Sequence, residues 1–354
     1  MRRLSASRRG RPLSRGIAVD LGTANTLVYG QGRGVLLNEP TVIAVNHHNG
    51  EVLAMGHEAY AMIGRTPGHI VAERPLRGGA VTDFDATAKL LKLLFQRVQG
   101  GRTVRWGKPR VIICVPSAVT NVERRAVEEA ATEAGAGEVH LMEEPMAAAI
   151  GAGLPVQEPF GSMVVDIGGG TSEVAIVALG GVVVSRAVRV GGFDLDAAVQ
   201  RYVRDAYALA IGERTAEELK ITLGSAVPLQ PEQEADIRGR ELATGLPRHV
   251  TVGSAELRAA LDDQVGQIVR AVVETLGECP PELTQDIIDE GLWLTGGGAL
   301  LHGLAERVAQ ETHVTVNVID KPLEAVAIGA GSVLDSFRDL QKVFQGTSTS
   351  AMHR

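Results

Sequence analysis

Two stretches of the sequence repeat one pattern, and this repeat constrains the fold more than any other feature. In residues 163–177, an apolar run leads into Asp166 and three glycines, and a second β-branched run follows. In residues 16–30, an apolar run leads into Asp20 and a shorter glycine-containing turn. Each stretch predicts a β-hairpin with a polar turn. The repeat therefore predicts a duplicated architecture with one hairpin in each of two lobes.

Both turns admit two interpretations. Glycine tolerates positive φ and lets backbone N–H groups approach a ligand, so a glycine-rich turn can wrap a phosphate. The same residues also suit a structural tight turn, and a single copy does not decide between these roles. Two copies favour a ligand, because hairpins that face each other across a cleft can clamp a polyphosphate from both sides. Asp20 and Asp166 would then hold a magnesium ion through its water molecules.

Length and composition agree with two lobes of a globular protein. The chain has 354 residues, of which 45% are hydrophobic and 22% are charged, and this length is typical of more than one core. Charged residues interrupt the longest apolar segments, so we expect neither a transmembrane helix nor a signal peptide. Cys114 and Cys279 lack the spacing of a metal site, which predicts free thiols in a cytoplasmic protein.

Positive charge is concentrated at the amino terminus of a chain whose net charge is −7. The acidic remainder argues against a nucleic-acid partner. The basic arm could contact anionic lipid or a protein partner, or it could be a solubilising tail. Its arginines are Arg2, Arg3, Arg8, Arg9, Arg11 and Arg15.

A second basic segment lies at residues 100–108 and precedes a strongly apolar strand. It places Val104 and Trp106 among three basic side chains. A tryptophan flanked by cations suits a membrane interface, where its ring lies at the depth of the lipid headgroups. The alternative is a tryptophan that folds back onto the core, and the residues alone leave both interpretations open.

Glu144 and a third glycine turn are further candidates for a ligand site. Glu144 lies between a predicted strand at 139–142 and a helix that starts near Pro145, where α/β sheets commonly bind ligands. A glutamate there can orient or deprotonate a water molecule, although it can also simply cap the helix. The third turn follows a strand at Leu292 and consists of Gly296, Gly297 and Gly298. Its backbone can approach a flat base or a phosphate.

Several local patterns predict secondary structure but say little about function. Glu217 and Lys220 lie three residues apart on a predicted helix, which by itself indicates a surface salt bridge. Another helix is predicted at 195–211, and short strands with turns at Gly239 and Gly245 are predicted at 231–252. Thr120 and Glu123 form a capping box for a helix whose apolar face we expect to include Val122, Ala126, Val127 and Ala130.

The glycine turns fit neither of the two common nucleotide motifs. The turns at Gly168 and Gly296 lack the G-x-G-x-x-G spacing, since Glu173 and Leu301 stand where the last glycine is required. No Walker A string occurs in the sequence. Rossmann and P-loop folds are therefore not expected.

Seven strings together resemble the MreB/Mbl family of bacterial actin homologues, within the superfamily of actins, heat-shock chaperones and sugar kinases. The resemblance extends in order from about Gly16 to Leu340. The strings are DLGTANTLVY, LNEPTVIAV, IGRTPGHIVAERPL, EEPMAAAIGAGL, DIGGGTSEVAIV, IGERTAEELK and LTGGGALLHGL.

The resemblance implies an α/β, actin-like ATPase fold. Two duplicated lobes, each with a mixed sheet and flanking helices, would form four subdomains around a nucleotide cleft. The implied divisions are a basic arm at 1–15, domain I at 16–157 plus 330–354 with a small subdomain at about 38–79, and domain II at 158–329 with a small subdomain at about 195–258.

The resemblance also implies roles for individual residues around ATP and Mg²⁺. Glu144, Asp166 and Thr171 would be catalytic, with Glu144 positioning the attacking water. Asp20 and Asp166 would hold the metal through water. Glu217 and Lys220 would contact the ribose, and the turn at 296–298 the adenine. The implied phosphate loops comprise Asp20, Gly22, Thr23 and Asn25 in one lobe, and Asp166, Gly168, Gly169, Gly170 and Thr171 in the other.

The function implied by the resemblance is ATP-dependent assembly into paired protofilaments on the inner face of the cytoplasmic membrane. There the filaments would organise cell-wall synthesis together with cell-wall elongation proteins, and hydrolysis would time filament turnover. Family members contact the membrane through an amphipathic amino-terminal helix or an apolar loop. The arm here has few large apolar residues, so Val104 and Trp106 are the expected contact. A non-polymerising adaptor ATPase and a small-molecule kinase of the same superfamily are the alternatives.

Overall fold

The structure is a computed structural model that describes residues 16–99 and 108–336. Its first lobe begins with a hairpin and ends with a helix that enters the second lobe. The elements are β1 Ile17–Leu21, β2 Asn25–Gly30, β3 Gly34–Pro40, β4 Ile43–Asn46, β5 Glu51–Met55, α1 His57–Met62, β6 Ile70–Glu73, β7 Leu76–Arg77, β8 Ala80–Val81, α2 Phe84–Gln99, β9 Arg110–Val115, α3 Asn121–Glu133, β10 Glu138–Glu143 and α4 Glu144–Gly151.

The second lobe again starts with a hairpin, and its last helix returns to the first lobe. A 3₁₀ helix at Gly297–Leu300 separates its strand β17 from helix α9. The elements are β11 Ser162–Ile167, β12 Ser172–Ala178, β13 Gly181–Val188, α5 Gly192–Tyr207, β14 Leu209–Ala210, α6 Glu213–Leu223, β15 Glu234–Glu241, β16 Pro247–Gly253, α7 Ser254–Gly277, α8 Pro281–Glu290, β17 Leu292–Thr295, α9 Leu304–Thr312, β18 Val316–Val318 and α10 Ala325–Asp335.

The two large sheets have the same topology. The first has the order β3-β2-β1-β9-β10 and the second the order β13-β12-β11-β17-β18. In each sheet the central strand pairs antiparallel with the next strand in sequence and parallel with a later one. Asp20 is opposite Cys114 of β9, and Asp166 is opposite Thr295 of β17. The predicted duplication is confirmed, and it brings each aspartate to the carboxyl end of a central strand.

Helices α4 and α10 join the two lobes beneath the cleft. They pack against each other, and their small side chains share one buried cluster with both large sheets, including Ile112 of β9 and Val164 of β11. The approach is so close that a Cβ atom at Gly329 would lie 1.8 Å from the carbonyl oxygen of Ala147. The alanine-rich sequence of α4 therefore serves lobe packing rather than helix propensity alone.

Each lobe also carries a small antiparallel sheet inserted after its large hairpin. The first small sheet has the order β5-β4-β6 and the second the order β14-β15-β16. The boundaries proposed above for four subdomains stay a prediction, while side chains of the two inserts contact each other across the cleft described below.

Three local predictions were wrong. The helix predicted at 195–211 ends at Tyr207, because Ala208 adopts a left-handed conformation with φ of 51° and leads into β14. Gly239 lies inside β15 rather than in a turn. The absence of a side chain at this position of the strand leaves room for Leu209. Val122 is 78% exposed, since it lies about 140° around the helix from the buried Val127.

Candidate functional site

A cavity of about 670 Å³ lies between the two lobes. Both hairpin turns, the glycine turn after β17, and helices α5 and α6 contribute to its wall. Every predicted catalytic and cofactor-binding residue lines this cavity except Gly170, which packs against Thr23 and Gly78. Residues that are far apart in sequence thus meet at one place, and their individual roles stay predictions.

The two hairpin turns touch each other across the cleft. A Cβ atom at Gly169 would lie 2.5 Å from the Cβ of Ala24, so only glycine permits this approach. The hydroxyl of Thr41 donates to the carbonyl of Gly22 at 2.7 Å, and the N–H of Gly168 donates to Thr171 at 2.8 Å. These bonds close each turn, and residues 22–25 and 168–169 of the turns line the cavity. Backbone N–H groups of such turns can bind phosphate.

Beside the turns lies a concentration of buried carboxylates. Burial and then the neighbouring Asp166 raise the pKa of Asp20 to about 8, and burial raises the pKa of Asp166 to about 6. Burial, followed by Glu173, Asp20 and Asp166, raises the pKa of Glu144 well above its usual range. This concentration of carboxylates, which has no cationic partner among the described residues, is suited to a bound cation, because a cation would favour the charged form of each carboxylate.

The donor set at this place fits Mg²⁺ bound through water. Within residues 16–99 and 108–336, no group of three or more metal-ligating side chains is found. Mg²⁺ commonly keeps several waters and takes only one or two carboxylates together with substrate phosphates. Asp20 and Asp166 supply those two carboxylates, and the metal itself stays a prediction.

The third glycine turn packs directly on the second hairpin. Gly296 has φ of 78°, and a Cβ atom there would lie 2.4 Å from the carbonyl oxygen of Ile167. On the rim, Leu300, Leu323 and Ile221 line the cavity yet are 59%, 44% and 72% exposed. Apolar side chains left open in a cavity wall are suited to a flat apolar group such as a nucleotide base.

Helix α6 does not form the salt bridge that the spacing of Glu217 and Lys220 indicates. Lys220 pairs with Asp196 of α5 at 2.8 Å and also donates to the carbonyl of Gly192 at 3.3 Å. Glu217 instead accepts a hydrogen bond from the phenol of Tyr60. Both α6 side chains line the cavity, so the surface-pair interpretation is wrong and the predicted ribose contact stays open.

The comparisons with known proteins agree with this arrangement. A profile of the family described as MreB/Mbl protein matches residues 14–342. The chain belongs to the MreB/Mbl family. It is 46% identical over 331 residues to the cell shape-determining protein Mbl of Bacillus subtilis (strain 168), covering 93% of this chain and 98% of the relative. It is 50% identical over 326 residues to the cell shape-determining protein MreB of Escherichia coli (strain K12), covering 91% and 94%.

Solved structures of an MreB protein share the fold. MreB5 of Spiroplasma citri bound to ADP matches with a TM-score of 0.87 and 36% identity, covering 93% of this chain and 98% of that one. The same protein bound to AMPPNP gives a TM-score of 0.88 and 35% identity, covering 94% and 99%. These matches confirm the predicted actin-like fold, and MreB5 holds an adenine nucleotide in both structures.

Sequence reasoning missed several side chains at the site of this MreB/Mbl chain. Glu173 is 1% exposed within a strand whose every residue is buried, and a lone charge in an apolar run is the signal that could have identified it. Asp196, the partner of Lys220, gave no such signal. Nor did Tyr60 and Phe193, because their importance depends on contacts between the lobes.

The predicted membrane contacts of this MreB/Mbl chain are not part of the described structure. Val104, Trp106 and the arginine-rich arm at 1–15 all lie outside residues 16–99 and 108–336. Within those ranges, no helix combines the length and the apolar character that crossing a membrane requires.

Proposed function

We propose that this chain binds ATP with Mg²⁺ in the cavity between its lobes, hydrolyses it, and assembles into membrane-associated filaments that organise cell-wall synthesis. One observation carries the nucleotide part of the proposal: two glycine turns from opposite lobes touch beside the buried carboxylate of Asp166 and the half-buried carboxylate of Asp20. The adenine nucleotides held by the MreB5 structures support the same site.

Each part of the cavity suits a different part of the nucleotide. Backbone N–H groups of the turns at 22–24 and 168–170 would bind phosphate oxygens, because they are hydrogen-bond donors held in place by the backbone. The open apolar rim and the turn at 296–298 would bind the base. Lys220, oriented by Asp196, and Glu217 would lie beside the sugar.

Hydrolysis requires a water molecule in line with the terminal phosphate. Glu144 is 9% exposed and lines the cavity on the side of the turns. Its carboxylate would accept a hydrogen bond from that water and take up its proton as attack proceeds. Thr171 would help to orient the reacting phosphate. When bound, Mg²⁺ would shield the phosphate charge, and Asp20 and Asp166 are the residues that would hold it.

Filament formation is the second part of the proposal. The relatives from Bacillus subtilis and Escherichia coli are named as cell shape-determining proteins, which supports a role in cell shape and wall elongation. We propose self-assembly into paired protofilaments, with hydrolysis acting as the timer of their turnover. Val104 and Trp106, assisted by the arginine arm, would place the filament on the inner face of the cytoplasmic membrane.

High-speed pelleting of the purified chain tests this proposal. We expect protein in the pellet above a critical concentration when ATP and Mg²⁺ are present, and a larger fraction when anionic vesicles are added. ADP alone and EDTA serve as controls for the nucleotide and the metal. Protein that stays in the supernatant at every concentration, with and without vesicles, would exclude the filament role and favour a non-polymerising adaptor.

A further inference from the structure

A hydrogen bond crosses the cleft between the two lobes. The phenol of Tyr60, in helix α1 of the first lobe, donates to the carboxylate of Glu217, in helix α6 of the second lobe. Burial and then the bonded Glu217 raise the pKa of Tyr60, so the phenol keeps the proton that it donates. A hydrogen bond to a charged acceptor is among the stronger ones in proteins. Glu217 itself lines the cavity.

Arg74, which follows β6 in the first lobe, makes a second set of contacts across the same cleft. Its Nη1 atom lies 2.9 Å from a carboxylate oxygen of Glu213 in α6. Its guanidinium also lies over the ring of Phe193 in α5, 4.6 Å from the ring centroid. This is cation–π geometry, and only 17% of the Arg74 side chain is exposed, so water screens the interaction weakly.

These contacts form one connected group rather than separate surface pairs. The Arg74 guanidinium lies 5.9 Å from the centroid of the Tyr60 ring, and the Arg214 guanidinium lies 5.8 Å from it. Tyr60 and Arg74 therefore support each other within the first lobe. On the opposite side, their partners Glu217 and Phe193 are both part of the cavity wall.

We propose that Tyr60 and Arg74 form a strap across the cleft that has to open before a nucleotide leaves, so that strap opening sets the rate of nucleotide release. The strap holds the wall residues Phe193 and Glu217 against the first lobe. Separating the small inserts of the two lobes breaks the Tyr60–Glu217 hydrogen bond, the Arg74–Glu213 ion pair and the cation–π contact together. This inference rests on the proposed binding of a nucleotide in the cavity.

The experiment measures release of a fluorescent N-methylanthraniloyl ADP from the full-length protein in a stopped-flow instrument, with excess unlabelled ATP as the chase. Tyr60→Phe removes only the hydroxyl, and Arg74→Gln removes the charge. We expect each to accelerate release about tenfold, the effect of losing one charge-assisted hydrogen bond, and the double variant to release faster still. Thermal melting of each variant establishes that it folds.

Tyr207→Phe is the matched control. The phenol of Tyr207 donates to both carboxylate oxygens of Glu256 at 3.0 Å, and both residues belong to the second lobe. This substitution removes a tyrosine–glutamate bond without touching the strap, so we expect an unchanged release rate. If Tyr207→Phe accelerates release as much as Tyr60→Phe, the effect is general loosening and the strap is disproved.

The remaining outcomes separate the strap from the proposed function. If the unsubstituted protein shows no saturable binding of the fluorescent ADP, nucleotide binding fails and the strap fails with it. If the unsubstituted protein binds the ADP but Tyr60→Phe and Arg74→Gln release it at the original rate, only the strap is overturned.

Discussion

The carboxylate of Glu173 accepts the backbone N–H of Ser117, with both carboxylate oxygens 3.1 Å from the nitrogen. Glu173 belongs to β12 of the second lobe, whereas Ser117 follows β9 of the first lobe. A buried carboxylate thus connects the lobes close to the predicted catalytic Glu144, whose pKa it helps to raise. The contact makes the charge of Glu173 matter both for stability and for the electrostatics of the site.

The nucleotide-free protein should lose stability as the pH rises, and Glu173→Gln should reduce that loss. Burial raises the pKa of Glu173 from 4.5 to about 7. The folded protein therefore holds a proton that the unfolded chain has already released, so the free energy of unfolding decreases between pH 4.5 and pH 7. Glutamine carries no charge. Between pH 5 and pH 8 we therefore expect the Tm of Glu173→Gln to fall by about 2–5 °C less than the Tm of the unsubstituted protein.

Differential scanning fluorimetry across that pH range measures this effect. Glu129→Gln, at an exposed position of α3, is the control and should follow the unsubstituted protein. Part of the pH dependence should remain in Glu173→Gln, because the pKa values of Asp20 and Asp166 are also raised. Identical pH slopes for Glu173→Gln and the unsubstituted protein would show that Glu173 is already ionised at pH 5.

Gly329→Ala should strongly destabilise the junction between the lobes. The new Cβ atom would lie 1.8 Å from the carbonyl oxygen of Ala147, and backbone atoms of α4 cannot move aside as a side-chain tip can. Overpacking costs about 1–3 kcal/mol and occasionally more, and a clash with backbone is expected at the upper end of that range. Gly266→Ala in α7 is the matched control, since its nearest contact is the Arg270 side chain at 3.6 Å.

Chemical denaturation of both variants distinguishes the destabilising effect of a steric clash from the stabilising effect of higher helix propensity. Alanine is the better helix former by about 1 kcal/mol, so Gly266→Ala should stabilise the protein slightly. Gly329→Ala should lower the denaturation midpoint despite the same gain in propensity. An unchanged midpoint for Gly329→Ala would mean that α4 and α10 are farther apart in solution.

Local signals explain why much of the fold and part of the site were predictable from the sequence. The hairpins beginning at β1 and β11 are specified by apolar runs that stop at an aspartate and a glycine turn, and these patterns need no knowledge of distant contacts. The capping box of Thr120 and Glu123 is likewise local, and both of its hydrogen bonds form. The actin-like fold followed from the order of seven such local strings.

The rest depends on contacts that no local pattern encodes. Lys220 faces two candidate acids, and the choice of Asp196 over Glu217 depends on how α5 packs against α6. Tyr60 gains its role only when the two small inserts meet across the cleft. The prediction that Val122 lies on the buried face of α3 was wrong. The alanines of α3 make its apolar face hard to recognise, so the spacing of apolar residues alone does not determine which side of the helix faces the core.

Glu144→Ala should separate nucleotide binding from hydrolysis. Glu144 lines the cavity without being part of either hairpin turn, so its removal leaves the turns and the apolar rim intact. We expect ATP affinity to change less than about threefold and phosphate release to slow by about 100-fold or more, the usual contribution of a positioned base. A phosphate-release assay beside equilibrium binding measures both quantities.

Glu144→Gln refines that test. Glutamine keeps the shape and can still accept a hydrogen bond from water, but it cannot take up a proton. If positioning alone matters, Glu144→Gln should retain much of the activity that Glu144→Ala loses. A normal rate of phosphate release from Glu144→Ala would remove this residue from the proposed mechanism.

Trp106→Ala and Val104→Ala should weaken binding to anionic vesicles in a flotation assay. An inserted aromatic or aliphatic side chain contributes about 1.5–3 kcal/mol when fully buried, so we expect about tenfold weaker binding for Trp106→Ala. Val183→Ala is the control for Val104→Ala, because Val183 is an exposed valine on β13, at 44% exposure. It should leave flotation unchanged.

The salt dependence of flotation distinguishes residues 100–108 from the arginine arm as the membrane contact. At about 1 M salt the Debye length falls to about 3 Å, so attraction of the arm to anionic lipid is largely screened while apolar insertion persists. We therefore expect deletion of residues 1–15 to matter mainly at low salt and Trp106→Ala to matter at both. If Trp106→Ala floats normally and only the deletion abolishes flotation, the arm is the membrane anchor and residues 100–108 are not.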